Sequence, residues 1–184
     1  MQIKYKLRSK YFGIRKKNYF EINPSFFDPL NKLINRKSKN KRINLSSYYP
    51  SSYEVNTNIL FETKLIKKVN IFLPVIKKNN LMYFFIWKKN DLLNINKFGM
   101  LEPTEKKMQV VPDIILVPLL AYDNQLNRLG YGGGFYDRYL NKYLSTYKEI
   151  VTVGVAFSFQ KHNRIPISIS DVKLNYILTE KGFV

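Results

Sequence analysis

A single α/β domain over residues 1–184, with a mostly parallel sheet flanked by helices on both faces and an N-terminal helical segment, is what the sequence predicts. Three observations carry that expectation. The second half of the chain holds five short runs, "VNIFLPVI", "LMYFFIW", "PDIILVPLL", "EIVTVGVAF" and "NYILTE", rich in β-branched and aromatic residues and bounded by breakers,. Several lack the apolar–polar alternation of a half-exposed strand, as expected of strands covered on both faces. Between two of them lie a glycine loop and a segment of helical period, the order of a βαβ unit.

The elements follow in chain order. Residues 4–20, "KYKLRSKYFGIRKKNYF", predict a basic amphipathic helix with Leu7, Tyr11 and Ile14 on one face and a weak point at Gly13,. "PSFFDPLNKLINR" predicts a second helix, and "RKSKNKR" (36–42) a solvated basic connection. In "INLSSYYPSSYEVNT" the turn chemistry at Pro50–Ser52 leads into a helix expected from Asn56 to Lys68,. The five apolar runs then supply strands. Between the third and the fourth, "FYDRYLNKYLSTY" places Tyr136, Tyr139, Leu140, Tyr143, Leu144 and Tyr147 at helical spacing,.

Composition narrows the class. A hydrophobic fraction of 45% in 184 residues fits one domain with a real core,. The absence of cysteine excludes a disulfide framework and a thiolate metal site, and suits a reducing cytoplasm,. The start lacks the continuous apolar stretch of a secretory signal, and "PDIILVPLLAY" is too short to span a bilayer, so a cytoplasmic protein without a membrane partner is expected,. The net charge of +18 favours anionic partners, although its spread along the chain is also that of a general lysine and asparagine bias,.

Chemistry concentrates in "RLGYGGGFYDRYL" (128–140), which holds four of the chain's 8 glycines. Glycine lets successive N–H groups converge on a phosphate and removes the Cβ atoms that would block it. A loop leaving a strand for a helix is also where the helix dipole attracts anions. Neither a Walker loop nor a dinucleotide fingerprint is present, so spacing alone leaves a tight ligand-free turn open. Asp137, in the first turn of the expected helix, reads either as a dipole partner or as a Mg²⁺ ligand. Arg128 reads as a phosphate clamp or a turn cap. The single histidine, His162, is expected to be exposed and not catalytic.

"VPDIILVPLLAYDNQLNRLGYGGGFYDRYL" (111–140) resembles the signature region of the 5-formyltetrahydrofolate cyclo-ligase family. "KYKLR", "YYPSSYEVNT" and "VGVAFSFQ…IPISISDVKLNYILTE" resemble further segments of that family in the right order. The resemblance implies an ATP- and Mg²⁺-dependent ligase of one-carbon metabolism. It would cyclise 5-formyltetrahydrofolate, with or without a polyglutamate tail, to 5,10-methenyltetrahydrofolate through a phosphorylated formyl group attacked by N10, acting as a monomer. It further implies ATP contacts at Lys4, Arg8, Arg128, Leu129, Gly130, Tyr131, Gly132, Gly133, Gly134, Phe135 and Tyr136. Folate contacts would fall at Tyr49, Glu54, Tyr131, Gly132, Gly133, Gly134 and Phe135, and Mg²⁺ ligands at Asp137 and Asp171, with no acid–base residue assigned. Asn56 and Phe135 depart from the family's more usual Asp and Tyr. On this reading Asp137→Asn weakens Mg²⁺-ATP use and leaves the fold intact.

A basic RNA-binding protein is the rival from another class, on the charge, the 14 tyrosines and "RKSKNKR",. Against it stands the absence of an RRM, KH or zinc-knuckle signature. Another ATP-dependent folate-binding activity on the same fold is a third reading.

Overall fold

The computed structural model describes residues 2–38, 41–104 and 108–184. Helix α1 (Gln2–Asn18) is followed by a 3-10 turn and α2 (Asp28–Ser38). The strands are β1 (Ile43–Ser46), β2 (Val69–Ile76), β3 (Met82–Ile86), β4 (Leu93–Ile95), β5 (Leu101–Pro103), β6 (Gln109–Val110), β7 (Ile114–Pro118), β8 (Ala121–Tyr122) and β9 (Arg128–Leu129). Helix α3 (Phe135–Leu144) then precedes β10 (Val151–Val155), β11 (Tyr176–Thr179) and β12 (Gly182–Phe183). One 8-stranded sheet has the order β12-β11-β10-β7-β1-β2-β3-β6. Its centre, β11 through β2, is parallel, and both edges are antiparallel. The pairs β4–β5 and β8–β9 form separate hairpins.

Strand alternation divides the core into two layers. Leu45, Ile114, Leu116 and Val153 point to the face covered by Leu30 and Ile34 of α2. Ile115, Val117 and Ile177 point to the other, covered by Tyr139 and Leu140 of α3. Helix α1 lies on neither face. Its predicted stripe, Leu7, Tyr11 and Ile14, packs on Leu120, Ala121, Leu129 and Ile165 beyond the carboxyl end of β7. Gly154 in β10 lets the strand pass beneath its neighbours, for a Cβ there would stand 2.6 Å from Ile177 and 2.8 Å from Leu119. Gly154→Ala is therefore expected to cost about 1–3 kcal/mol of overpacking, read as a lower midpoint in thermal unfolding.

The five apolar runs form β2, β3, β7, β10 and β11, and α3 makes the expected crossover from β7 to the adjacent parallel β10. Two expectations are corrected. The segment 43–46, read only as an approach to a turn, is central strand β1. Residues 56–68 do not form one helix but two 3-10 turns, Thr57–Glu62 and Lys64–Lys68. The break is at Thr63, which is extended (φ −89°, ψ 156°) and whose hydroxyl donates back to the Leu60 carbonyl at 2.7 Å,. Of "RKSKNKR", 36–38 extend α2, 39–40 lie outside the described residues, and Lys41 and Arg42 are exposed.

Candidate active site

The strand order reverses between β1 and β7: the chain builds outward from β1 through β2, and from β7 through β10 and β11 in the opposite direction. Ligands of open α/β sheets bind in the crevice beyond the carboxyl ends of strands at such a switch point. Here the crevice receives two loops. One leaves β1 and runs through Tyr49 to Glu54; the other leaves β7, passes through the β8–β9 hairpin and becomes the glycine loop before α3.

The hairpin owes its shape to Asp123, whose carboxylate accepts N–H bonds from Gln125, Asn127 and Ile165. Burial opposes its charge, but these donors and the Asn127 amide hold its carboxyl below the usual range,. The hairpin thus delivers a fixed strand end to Gly130. Gly132 (φ +103°) and Gly134 (φ +66°) take backbone conformations that side-chain-bearing residues rarely adopt,. Arg8 of α1 reaches this loop, donating Nε to the Gly130 carbonyl at 2.9 Å, and its guanidinium lies 3.2 Å from where a Gly132 Cβ would stand. An α1 cation, glycine backbone and the start of α3 therefore share one place.

Asp137 lies in the first turn of α3. Its Oδ1 accepts from Arg128 Nη2 at 2.8 Å and from the Val172 N–H at 3.1 Å, and Arg128 also donates to the Val172 carbonyl at 2.9 Å. Asp171, one residue before Val172, forms an ion pair with Lys4 and accepts the Ser168 N–H at 2.6 Å. Burial raises the Asp171 carboxyl, and the Lys4 and Ser168 bonds outweigh it, leaving it below its ordinary value. Both carboxylates are thus gathered beside the loop, each neutralised by one of the basic residues.

The second wall is a buried polar chain. Tyr131 of the glycine loop keeps part of its ring exposed but turns its hydroxyl inward, donating to Glu54 Oε1 at 2.5 Å. The Tyr131 hydroxyl oxygen accepts in turn from Arg15 Nη1 of α1 at 2.6 Å, and Arg15 Nη2 donates to the Ser52 carbonyl at 2.8 Å. Glu54 Oε2 accepts the Ser51 N–H at 2.9 Å. A cleft of about 340 Å³ opens here, lined among others by Tyr19, Ser52, Tyr53, Glu54 and Asn56. Several buried polar atoms at this end of the sheet lack any protein partner: Ser46 Oγ, Tyr136 Oη and Arg15 Nε. Orphaned polar atoms in a native fold call for a ligand or water to satisfy them.

Burial pushes the Glu54 carboxyl up, while its bonds from Tyr131 and Ser51 and the Arg15 charge pull the other way without cancelling the rise. The same burial and the Glu54 charge push the Tyr131 hydroxyl well up, so it stays a donor. A folded-state carboxyl above its unfolded value means the native state binds more protons in that window, so stability falls as pH rises through it. Glu54→Gln removes this titration. The difference in melting temperature, Glu54→Gln minus parent, is expected to grow as pH rises from the ordinary glutamate value toward neutral, on top of a constant offset from the altered bonds to Tyr131 and Ser51, checked by thermal unfolding at a series of pH values,.

Of the residues singled out in the sequence, Lys4, Arg8, Arg128, Gly130–Gly134, Asp137 and Asp171 come together around one loop, and Glu54 meets them through Tyr131. Leu129 buries its side chain under α1. Tyr49 turns toward Trp87, with ring centroids 6.2 Å apart. Phe135 packs edge-on against Phe98 at 5.0 Å, and Tyr136 against Phe84. Asn56 caps the first 3-10 turn by accepting the Asn58 N–H at 3.1 Å. His162 is a correction: α1 packs over residues 161–165, so it is half-buried with Nδ1 3.0 Å from the Tyr11 hydroxyl. Sequence reasoning missed Arg15, one cation among 31, and Asp123, whose "YDNQLN" carries the signal of an Asx turn,.

Fold and site together define an α/β protein of the switch-point type, with a cation-flanked glycine loop and a buried carboxylate facing a polar cleft. The class narrows on comparison. The model of the 5-formyltetrahydrofolate cyclo-ligase family matches residues 26–180, and the chain belongs to that family. The 5-formyltetrahydrofolate cyclo-ligase of Haemophilus influenzae is 32% identical over 155 residues, 81% of this chain and 80% of that protein. A probable cyclo-ligase of Schizosaccharomyces pombe is 31% identical, covering 71% of each. The solved structure of the 5,10-methenyltetrahydrofolate synthetase of Aquifex aeolicus superimposes with a TM-score of 0.72 at 29% identity, covering 98% of this chain and 91% of that one. Among the described residues no helix is long and apolar enough to cross a membrane.

Proposed function

We propose that this chain, a 5-formyltetrahydrofolate cyclo-ligase, takes ATP on the glycine loop and 5-formyltetrahydrofolate in the cleft beside Glu54, and releases 5,10-methenyltetrahydrofolate, ADP and phosphate. The observation that carries this reading is the meeting of the two loops at the switch point, one rich in glycine and flanked by Arg8, the other ending in a buried carboxylate. The formyl oxygen attacks the γ-phosphorus of ATP and ADP leaves. Folate N10 then adds to the formyl carbon, its proton passes to a phosphate oxygen, and the formyl oxygen departs as hydrogen phosphate to complete the ring. Positioning and charge neutralisation supply most of the catalysis in such a transfer.

This chain's residues divide that work. The backbone of Gly132–Gly134 and the Arg8 guanidinium collect phosphate oxygens, and Lys4 joins them by leaving Asp171. Glu54 accepts hydrogen bonds from the pterin, and Tyr131 orients it. Tyr49 and Phe135 supply apolar walls, and neither needs to move a proton.

Mg²⁺ is tested by its donors. Among the described residues no group of three or more His, Cys, Asp or Glu side chains could hold a metal. Mg²⁺ at nucleotide sites is held by one or two carboxylates plus phosphate oxygens. Asp137 and Asp171 fit that role jointly with the nucleotide, and the ion would supply charge neutralisation at the phosphates. The lack of cysteine fits a reducing compartment such as the cytoplasm,.

The test is to mix the protein with 5-formyltetrahydrofolate and Mg-ATP and follow the near-ultraviolet absorbance of the methenyl product at acid pH, where it persists. An ATP-dependent rise is expected. No rise from demonstrably folded protein would sink the reading.

A further inference from the structure

Arg15 is the largest fully buried side chain among the described residues, 1% exposed, and the phosphate chemistry above makes no use of it. It donates to three separate pieces of the crevice: the Leu119 carbonyl after β7 at 3.3 Å, the Ser52 carbonyl in the turn after β1 at 2.8 Å, and the Tyr131 hydroxyl of the glycine loop at 2.6 Å. The turn it holds is strained, with Ser52 (φ +49°) and Tyr53 (φ +66°) both left-handed without being glycine. Such residues persist only where their surroundings over-determine them. A neutral hydrogen-bonding residue could satisfy these carbonyls. What needs a cation is Glu54, one oxygen away through Tyr131.

We propose that Arg15 is a positioning residue that ties the Glu54 turn to the glycine loop through Tyr131, so that a ligand bound at either wall changes affinity at the other. For the identity of the two ligands this rests on the functional reading above; the tie itself does not. A guanidinium pinned to two backbone carbonyls has little freedom, so the Tyr131 hydroxyl is held where both the loop and the carboxylate need it. Nucleotide that orders the loop fixes Tyr131, and Tyr131 fixes Glu54; by linkage the effect is reciprocal. The groups facing Glu54 are Arg15 from α1, Tyr48 and Ser51 from the turn, Tyr131 from the loop and Tyr136 from α3. Arg15 is the cation among them.

Two measurements test this. In ligand-free protein, the Glu54 carboxyl carbon is followed by ¹³C NMR against pH, assigned by its loss in Glu54→Gln. Arg15→Met is expected to raise its midpoint by about one pH unit or more, the scale of removing a nearby opposite charge, and Arg15→Lys to restore most of it. Second, the affinity for a non-hydrolysable ATP analogue with Mg²⁺ is measured with and without 5-formyltetrahydrofolate. The parent is expected to show coupling of about 5-fold or more, and Arg15→Met and Tyr131→Phe to lose it.

An unmoved Glu54 midpoint in Arg15→Met, or full coupling in Tyr131→Phe, overturns the proposal. If Arg15→Met does not fold, Arg15→Lys and Tyr131→Phe carry the test. Tyr131→Phe keeps the charge and cuts the bridge, so retained coupling there is fatal. If the midpoint moves as expected but the parent binds no folate, the tie stands and the functional reading falls.

Discussion

Gly132→Val is expected to weaken ATP use by roughly 10–100-fold while leaving the protein folded. Gly132 sits at φ +103°, where a β-branched residue is strained, and forcing one there costs about 1–3 kcal/mol,. The new Cβ would also stand 3.2 Å from the Arg8 guanidinium carbon, tighter than ordinary contact, and would push that cation from the loop. The chain can relieve the strain only by reorienting the loop N–H groups, which the proposed function assigns to phosphate. At 1.4 kcal/mol per factor of ten, the strain accounts for most of the expected loss. Gly130→Ala is the control. A Cβ there meets nothing within 4 Å and the backbone is not left-handed, so ATP affinity should be near the parent's. Isothermal titration of Mg²⁺ with an ATP analogue decides it, and parental affinity in Gly132→Val would remove the loop from the nucleotide site.

The contrast between these two glycines shows what a sequence reveals. Clustering made the loop legible, because four glycines in five positions have few explanations. Which of them turns left-handed, and which faces Arg8, depends on how α1 docks, and that docking is set by Leu129 and Ile165, far along the chain. The apolar strands were legible because burial on both faces demands continuous apolar runs. β1 was not. It has four residues, two of them Asn44 and Ser46, and gains its central place by pairing with β2 and β7 rather than from its own side chains. The 56–68 helix failed for the converse reason: its composition suits a helix, but Thr63 and the turn into β2 break it. Arg15 had no local signal at all. In a chain with 31 Lys and Arg residues, burial alone distinguishes it.

The same context changes what Asp137→Asn means. Read from the sequence, it removes a metal ligand and spares the fold. In the structure it also strips the charge partner from Arg128, whose side chain is 4% exposed, while Asp137 is 22% exposed. Removing one partner of a buried pair costs about 3–5 kcal/mol, because the remaining charge is left uncompensated. Water at the partly open Asp137 end reduces this to about 2–3 kcal/mol. For a chain of this size that lowers the melting temperature by roughly 5–10 °C. Lost activity in Asp137→Asn alone therefore cannot be assigned to metal. The double variant Arg128→Met, Asp137→Asn, set beside Arg128→Met alone, which lacks the same guanidinium but keeps the carboxylate, separates the two roles. With the buried guanidinium gone the fold should regain much of the loss, since an apolar replacement of a buried pair is often neutral. Mg²⁺-ATP turnover should stay down by at least about tenfold, because no carboxylate has returned to the start of α3. Thermal unfolding and turnover against Mg²⁺ concentration are measured on the parent, both single variants and the double variant. Activity that recovers together with stability would show that Asp137 serves Arg128 and not the metal.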